Sequence, residues 1–308
     1  MQLPEDFNPV CGEAEALETG VRRIVAPNPS PMTWRGTNTY LLGSQQVAVI
    51  DPGPDSELHL EAILAATDGG RSVSHIIVTH AHLDHSPLAR RLGSRTGAPV
   101  LAFGPAHAGR SAAMVRLAAT GLTGGGEGID EDFEPDIRVR HGEFIECDDW
   151  SLRVLHTPGH IGNHICLAFG DLCFTGDHVM GWASSLVSPP DGDLTDFMAS
   201  CRVLQQQHWR VFFPGHGKQI TSPNERLDWL ISHRLGREAA ILQALASGPA
   251  TASDLAAAIY TDTPAALIPA ATRNVLAHLI DLDGKKLVSG DRATGESTVY
   301  SLSQESAR

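Results

Sequence analysis

Three histidines and one aspartate fall within six residues, His80-Ala81-His82-Leu83-Asp84-His85, directly after the apolar stretch 75–79. The β-branched content of that stretch predicts a short buried strand. The cluster therefore occupies a loop at a strand end, where a rigid sheet can hold reactive side chains. Histidine is the commonest metal ligand. His80 and His82 can converge on one ion, and Asp84 and His85, across the turn, can serve a second. One such cluster cannot close two metal sites, so further donors have to arrive from elsewhere in the chain. Three later strand ends offer them. His160 follows Thr157-Pro158-Gly159, Asp177 follows Phe174-Thr175-Gly176, and His216 stands in Phe213-Pro214-Gly215-His216-Gly217. Each comes after an apolar run and beside a glycine, where backbone can approach a ligand closely.

The rest of the chain reads as sheet with helices between the strands. Short strands are expected at 22–25, 39–42, 47–50, 75–79, 100–103, 152–156, 164–169, 172–175 and 211–213. Helices are expected at 58–66, from Pro87 to about residue 92, at 196–207 and at 225–246. Asp51-Pro52-Gly53 is a turn signal. The Gly-rich stretch 121–128 lacks the Lys-Ser/Thr that follows a phosphate loop, so it reads as a loop and not a nucleotide site. Composition shifts at Ser247-Gly248-Pro249. Beyond it come a helix at 253–260 with Ser253 as its N-cap, a helix at 272–282, and strands 287–289 and 298–302 around a turn at 290–297. Helix, helix, hairpin is the layout of a winged helix. The expected division is a catalytic domain over residues 1–246 and a winged-helix-like domain over residues 247–308.

With 36 acidic against 23 basic residues the net charge is −13, which argues against a constitutive polyanion binder. The five cysteines, Cys11, Cys147, Cys166, Cys173 and Cys201, form no C-x-x-C pair. They read as reduced thiols rather than a disulfide framework or a thiolate zinc site. The first ten residues carry acids and prolines and no signal-sequence pattern, and no apolar run approaches a membrane span. A cytoplasmic protein without a membrane partner is the expectation.

The order H-x-H-x-D-H, T-P-G-H, T-G-D, P-G-H-G resembles the metallo-β-lactamase superfamily. That resemblance implies an α+β fold, an αββα sandwich with two metal ions at one edge of two packed sheets. It implies His80, His82 and His160 on the first metal, Asp84, His85 and His216 on the second, and Asp177 bridging them. Asp51 matches a family position that supports the ligands from behind. A narrower similarity, carried by Asn28-Pro29-Ser30-Pro31-Met32, Gly36-Thr37-Asn38-Thr39-Tyr40, Ile231-Ser232-His233-Arg234 and Arg237-Glu238, is to the glyoxalase-II-like subgroup. Within that subgroup it is to the β-lactamase-like protein 2 endoribonucleases, which also carry a C-terminal winged-helix-like domain. His233 and Arg234 are candidate substrate contacts, or else a salt-bridged helix surface.

The implied chemistry is hydrolysis by a metal-bridging hydroxide, with Asp84 or Asp177 orienting the nucleophile and relaying a proton. His178 is a candidate proton donor, or else a packing histidine. Two zinc ions are expected, with iron or manganese as alternatives. The expected substrate is a small ester, thioester or lactone; the alternative is single-stranded RNA. A one-iron persulfide dioxygenase and a β-lactamase are further readings, and a flavodiiron role is disfavoured because His82 stands where that group has an acid. A binding protein that lost its chemistry would be expected to lack some of the seven donors. A winged helix also serves as a dimer module, so a homodimer is among the expectations. Stretches 105–136 and 179–193 are expected to wall the pocket.

Overall fold

A computed structural model describes residues 7–124, 128–291 and 294–303. Residues 1–6 of the N-terminal stretch, 125–127 of the Gly-rich stretch and 292–293 of the expected hairpin turn lie outside the described residues. In chain order the elements are β1 (Glu15–Glu18), β2 (Val21–Val25), β3 (Asn38–Leu42), β4 (Gln46–Ile50), α1 (Glu57–Ala66), β5 (Ser72–Ile77), α2 (Leu88–Thr96), β6 (Val100–Ala102), α3 (Ala112–Ala119), β7 (Ile137–Arg138), β8 (Phe144–Cys147), β9 (Trp150–His156), β10 (Ile165–Phe169), β11 (Leu172–Gly176), α4 (Leu194–Gln205), β12 (Val211–Pro214), α5 (Pro223–Leu245), α6 (Ala252–Ile259), α7 (Ile268–Gly284), β13 (Val288–Gly290) and β14 (Tyr300–Leu302).

Strands β1 to β7 form one sheet in chain order, and β12-β11-β10-β9-β8 form a second. The first sheet turns parallel from β4 onward, and α1 and α2 make the crossovers that parallel pairing requires. β12 joins β11 in parallel through α4. Side chains alternate across each strand, and both faces of strands such as β3, β4, β11 and β12 are buried. Tyr40 and Leu42 of β3 point between the sheets, where they meet Leu152, Leu167, Phe174 and Phe213. Leu41, between them in sequence, points outward onto Leu60 and Ile63 of α1 and Leu88 and Leu92 of α2. On the far side Cys166, Cys173 and Phe212 pack against Phe197 and Leu204 of α4 and Leu227 and Leu230 of α5. Each such side chain contributes roughly 1.5–3 kcal/mol by leaving water. The result is the expected αββα sandwich.

The third unit is also as expected: α6 and α7 followed by the antiparallel β13–β14 hairpin. Its core does not close on itself. Ile241 and Leu245, from the last turns of α5, complete a cluster with Leu255, Leu276, Leu279, Val288 and Tyr300. The expected boundary at 246/247 thus falls just past the end of a helix whose side chains serve both cores.

Several local expectations are corrected. The strand expected at 75–79 runs Ser72–Ile77, because the Asp51 carboxylate takes the backbone N–H of Thr79 at 2.7 Å and turns the chain out of the ladder. α2 continues past Leu92 to Thr96 and ends where Gly97 adopts a left-handed φ of 78°. β1, β7, β8 and α3, at two to eight residues each, are too short for a periodicity to announce them. The N-cap of α6 is Thr251, not Ser253. Thr251 and Asp254 form a reciprocal capping box, with the Thr251 hydroxyl accepting from the Asp254 N–H at 3.2 Å. The cysteines are free, with Cys166, Cys173 and Cys201 buried. No described helix is long and apolar enough to cross a membrane.

Replacing Thr251 with alanine is expected to cost about 1 kcal/mol in chemical denaturation, while Ser253→Ala stays within a few tenths of a kcal/mol; equal effects would return the cap to Ser253.

Candidate metal centre

All seven expected donors arrive at one edge of the sandwich, each from a loop after a strand. His80, His82, Asp84 and His85 follow β5, His160 follows β9, Asp177 follows β11 and His216 follows β12. Three overlapping groups have donor atoms within 4.8 Å of one another: His80, His82 and His160; His80, His85 and Asp177; Asp84, His85 and His216. Asp177 lies between the outer two. Its Oδ2 is 3.8 Å from His160 Nε2 and 3.3 Å from His216 Nε2.

Contacts behind the donors set which ring nitrogen faces the centre. The Leu186 carbonyl can only accept, so His160 Nδ1 donates to it at 2.7 Å and leaves Nε2 free. Asp51 Oδ2 accepts from His85 Nδ1 at 2.9 Å and from the Thr79 hydroxyl at 2.8 Å. With its own hydrogen committed, Thr79 Oγ1 accepts from His80 Nδ1 at 2.9 Å. The Gly36 carbonyl holds His216 Nδ1 at 3.2 Å. Asp51 pays for this placement with a φ of 52°, unusual for a residue other than glycine. Gly215 is required where it stands, since a Cβ there would meet Asp177 Oδ1 at 2.3 Å.

With neutral rings, the inward nitrogens of His80, His85, His160 and His216 therefore present lone pairs. His82 Nδ1 and His160 Nε2 are 3.0 Å apart, and His85 Nε2 and His216 Nε2 are 3.4 Å apart. His80 Nε2 and Asp177 Oδ1 are buried with no hydrogen-bond partner. Such an array is unfavourable without a proton or a cation between the donors. Five imidazoles and two carboxylates, with no thiolate, suit borderline divalent ions. The residues present fit a pair of metal ions.

The electrostatics separate the two ends. Burial, then the neighbouring His160, pushes His82 down to about 3. Burial opposes charge on His216 as well, but Asp177 and Asp84 outweigh it and raise the imidazole to about 10. The carboxylate end thus favours positive charge, and the all-histidine end disfavours it.

Other expectations land elsewhere. His178 is buried against Phe197, with Nε2 3.5 Å from Cys201 Sγ, and burial followed by His160 and Arg234 lowers it to about 3. It packs rather than faces a substrate. Arg234 is also enclosed; it donates to the Ser185 carbonyl and, at 2.9 Å, to Asn274 Oδ1. It braces stretch 179–193 from beneath. His233 lines a cleft next to that stretch. Thr37 went unread as a site residue, although its motif was visible. Its hydroxyl accepts from Asn28 Nδ2 at 2.9 Å and so turns its own hydrogen toward Asp84 Oδ2 at 3.3 Å.

A family model described as the metallo-beta-lactamase superfamily matches residues 32–216, which include all seven donors. The chain belongs to this superfamily. A second model, the beta-lactamase associated winged helix domain, matches residues 251–294. Among curated proteins the chain is 31% identical to a beta-lactamase-like protein 2 homolog of Drosophila melanogaster, over 89% of this chain and 91% of that one. It is 28% identical to an atrochrysone carboxyl ACP thioesterase of Aspergillus fumigatus, over 83% of this chain and 78% of the relative. A metallo-beta-lactamase family protein from Thermus thermophilus superposes with a TM-score of 0.73 at 26% identity, over 93% of this chain and all of that one. A beta-lactamase domain protein from Burkholderia ambifaria has the same fold, with a TM-score of 0.78 at 22% identity over 97% and 96% of the two chains. The family makes this chain a metal-dependent hydrolase.

Asp51→Asn removes the charge that orients Thr79 and His85 together. Zinc affinity, measured by chelator competition, is expected to fall 10–100-fold; unchanged affinity would free Asp51 from that role. Acid should also destabilise the metal-free chain. Burial lowers His59 to about 4, and His178 is lowered to about 3. Between these values and the ordinary 6.5 the unfolded chain binds protons that the folded chain refuses, so stability falls as pH falls through that window. The melting temperature of chelator-treated protein should drop progressively from pH 6.5 to pH 4, and a flat profile there would contradict the burial of these rings.

Proposed function

We propose that this protein is a cytoplasmic dinuclear zinc hydrolase acting on thioesters, with residues 1–246 as the catalytic domain and residues 247–308 as a domain that helps shape the substrate cleft. The observation that carries the hydrolase reading is the buried array of seven converging donors with Asp177 between its two ends. His80, His82 and His160 would hold one ion, Asp84, His85 and His216 the other, and Asp177 both. When bound, such ions would lower the pKa of a coordinated water and polarise the scissile carbonyl.

The chain's own residues supply position and proton handling. Asp84 is the more open of the two carboxylates, its side chain 27% exposed against 10% for Asp177. The Thr37 hydroxyl donates to Asp84 Oδ2 at 3.3 Å and fixes the carboxylate, which would orient the attacking water and relay its proton. The leaving thiolate of a thioester needs no general acid, which agrees with a site where His178 is withdrawn. Support for a thioester over a nucleic-acid strand comes from the net charge of −13 and from the apolar residues Met32, Met180, Trp182 and Leu186 in the neighbouring cleft, which suit an acyl chain. Similarity to an acyl-carrier thioesterase supports the same class. The second reading, cleavage of single-stranded RNA, follows from the similarity to beta-lactamase-like protein 2 homologs and from the winged helix.

Zinc-reconstituted protein should bind about two ions per chain and hydrolyse an acyl N-acetylcysteamine thioester. His82→Ala should lower kcat/KM at least 100-fold, and chelation should abolish turnover. Cleavage of a single-stranded RNA with the thioester left intact would transfer the assignment to the second reading. One iron per chain with oxygen-dependent turnover would overturn both.

A further inference from the structure

A cleft of about 970 Å³ opens between the sandwich and the winged helix, beside the centre. One wall is stretch 179–193, whose Leu186 faces the cleft while its carbonyl holds the candidate ligand His160 at 2.7 Å. The opposite wall is one stripe of α5. Arg226, Trp229, His233 and Arg237 recur at spacings of three, four and four residues, which puts them on a single helical face. The stripe is a stacked ladder. The Arg226 guanidinium lies 4.2 Å from the Trp229 ring centre, and the His233 ring stacks on Trp229 at 4.8 Å with 9° between planes. Arg237 lies 4.2 Å from the ring of Tyr260, just past α6.

Charge gives the ladder its direction. Among the described residues no carboxylate pairs with either arginine. Arg226 donates only to the carbonyls of Met180 and Ala183, both at 2.7 Å, and Arg237 to that of Ile259 at 3.3 Å. Two unneutralised guanidinium groups in one cleft are conspicuous on a chain with 36 acids and 23 bases. Burial first, then the charges of Arg234, Arg237 and Arg226, lowers His233 to about 4, so it offers a neutral ring face. Trp229 is 46% exposed although Arg226 and His233 both lie on it, so it forms the accessible middle of the ladder. Aromatic faces alternating with guanidinium groups are what a nucleotide engages, the base by stacking and the phosphates by Arg.

We propose that this cleft binds the nucleotide handle of the substrate, so that the thioester is one carried on a coenzyme A-type phosphopantetheine nucleotide whose acyl end reaches the His/Asp centre. The proposal rests on the thioester reading and narrows it. The cleft has the volume of a site for one small molecule. It offers two cationic groups, enough for the phosphates of one nucleotide and too few to track the backbone of a strand.

The test is a binding measurement on the full zinc-loaded chain, independent of turnover. Calorimetric titration with 3′,5′-adenosine diphosphate should give a Kd at least tenfold tighter than titration with adenosine. Trp229→Ala and Arg237→Glu should each weaken the diphosphate at least tenfold. Both side chains are solvent-accessible, and a retained melting temperature confirms that each variant is folded. Absence of diphosphate binding, or binding that neither variant weakens, overturns the proposal. So does an oligoadenylate of twelve nucleotides that binds far more tightly than the mononucleotide, because that outcome assigns the cleft to a nucleic-acid strand. Hydrolysis of the N-acetylcysteamine thioester, which has no nucleotide, without diphosphate binding would sink this inference alone. Diphosphate binding without thioester hydrolysis would sink the functional reading alone.

Discussion

A buried convergence of lone pairs is the constraint on which the rest of this structure depends. His82 Nδ1 faces His160 Nε2 at 3.0 Å, and His85, His216, Asp84 and Asp177 crowd a second point a few ångströms away. Nothing in ordinary packing favours such an arrangement. It persists because four of the five rings, His160, His80, His85 and His216, are held from behind by fixed acceptors: Leu186 O, Thr79 Oγ1, the Asp51 carboxylate and Gly36 O. Those acceptors come from four separate loops, so the sandwich must hold its loop ends rigidly for the centre to exist. A core buried on both faces of both sheets supplies that rigidity.

Unusual backbone conformation concentrates at the same place. Asp51 accepts a left-handed φ so that one carboxylate can hold Thr79 and His85 together. Gly159, at a φ of 142°, lets the chain pass against the backbone of Phe197 on its way to His160. Gly215 leaves room for the Asp177 carboxylate. The glycines beside the donors are thus the means by which strand ends come close enough for those donors to meet.

The winged helix is tied to the catalytic layers by α5 rather than by a linker. The first half of that helix packs on the second sheet, and its last turns complete the small domain's core. One consequence is mechanical: Arg234, sealed between the two, braces the stretch that carries Leu186 and hence His160. The other is chemical, since the exposed stripe of the same helix forms a wall of the cleft beside the centre. The cleft and the donor geometry therefore share a scaffold.

The sequence by itself determined the candidate donor set, the sandwich and the winged helix. Donors after apolar runs and beside glycines leave a local, periodic signature, and so do two-sided strands. It also carried Asp51 and the motif around Thr37, without showing whose hydrogen atoms they direct. Only the tertiary structure decided the rest. His178 and Arg234 stand next to site residues in sequence, yet packing turns both away into the interior, because neighbours along a strand exit or a helix face opposite directions. Arg226 and Trp229 drew no attention in a linear reading. Their significance depends on Tyr260 and Met180, far away in the chain, and on the lack of a paired carboxylate among the described residues. Long-range proximity and unneutralised charge are properties of the folded surface, and no local pattern encodes them.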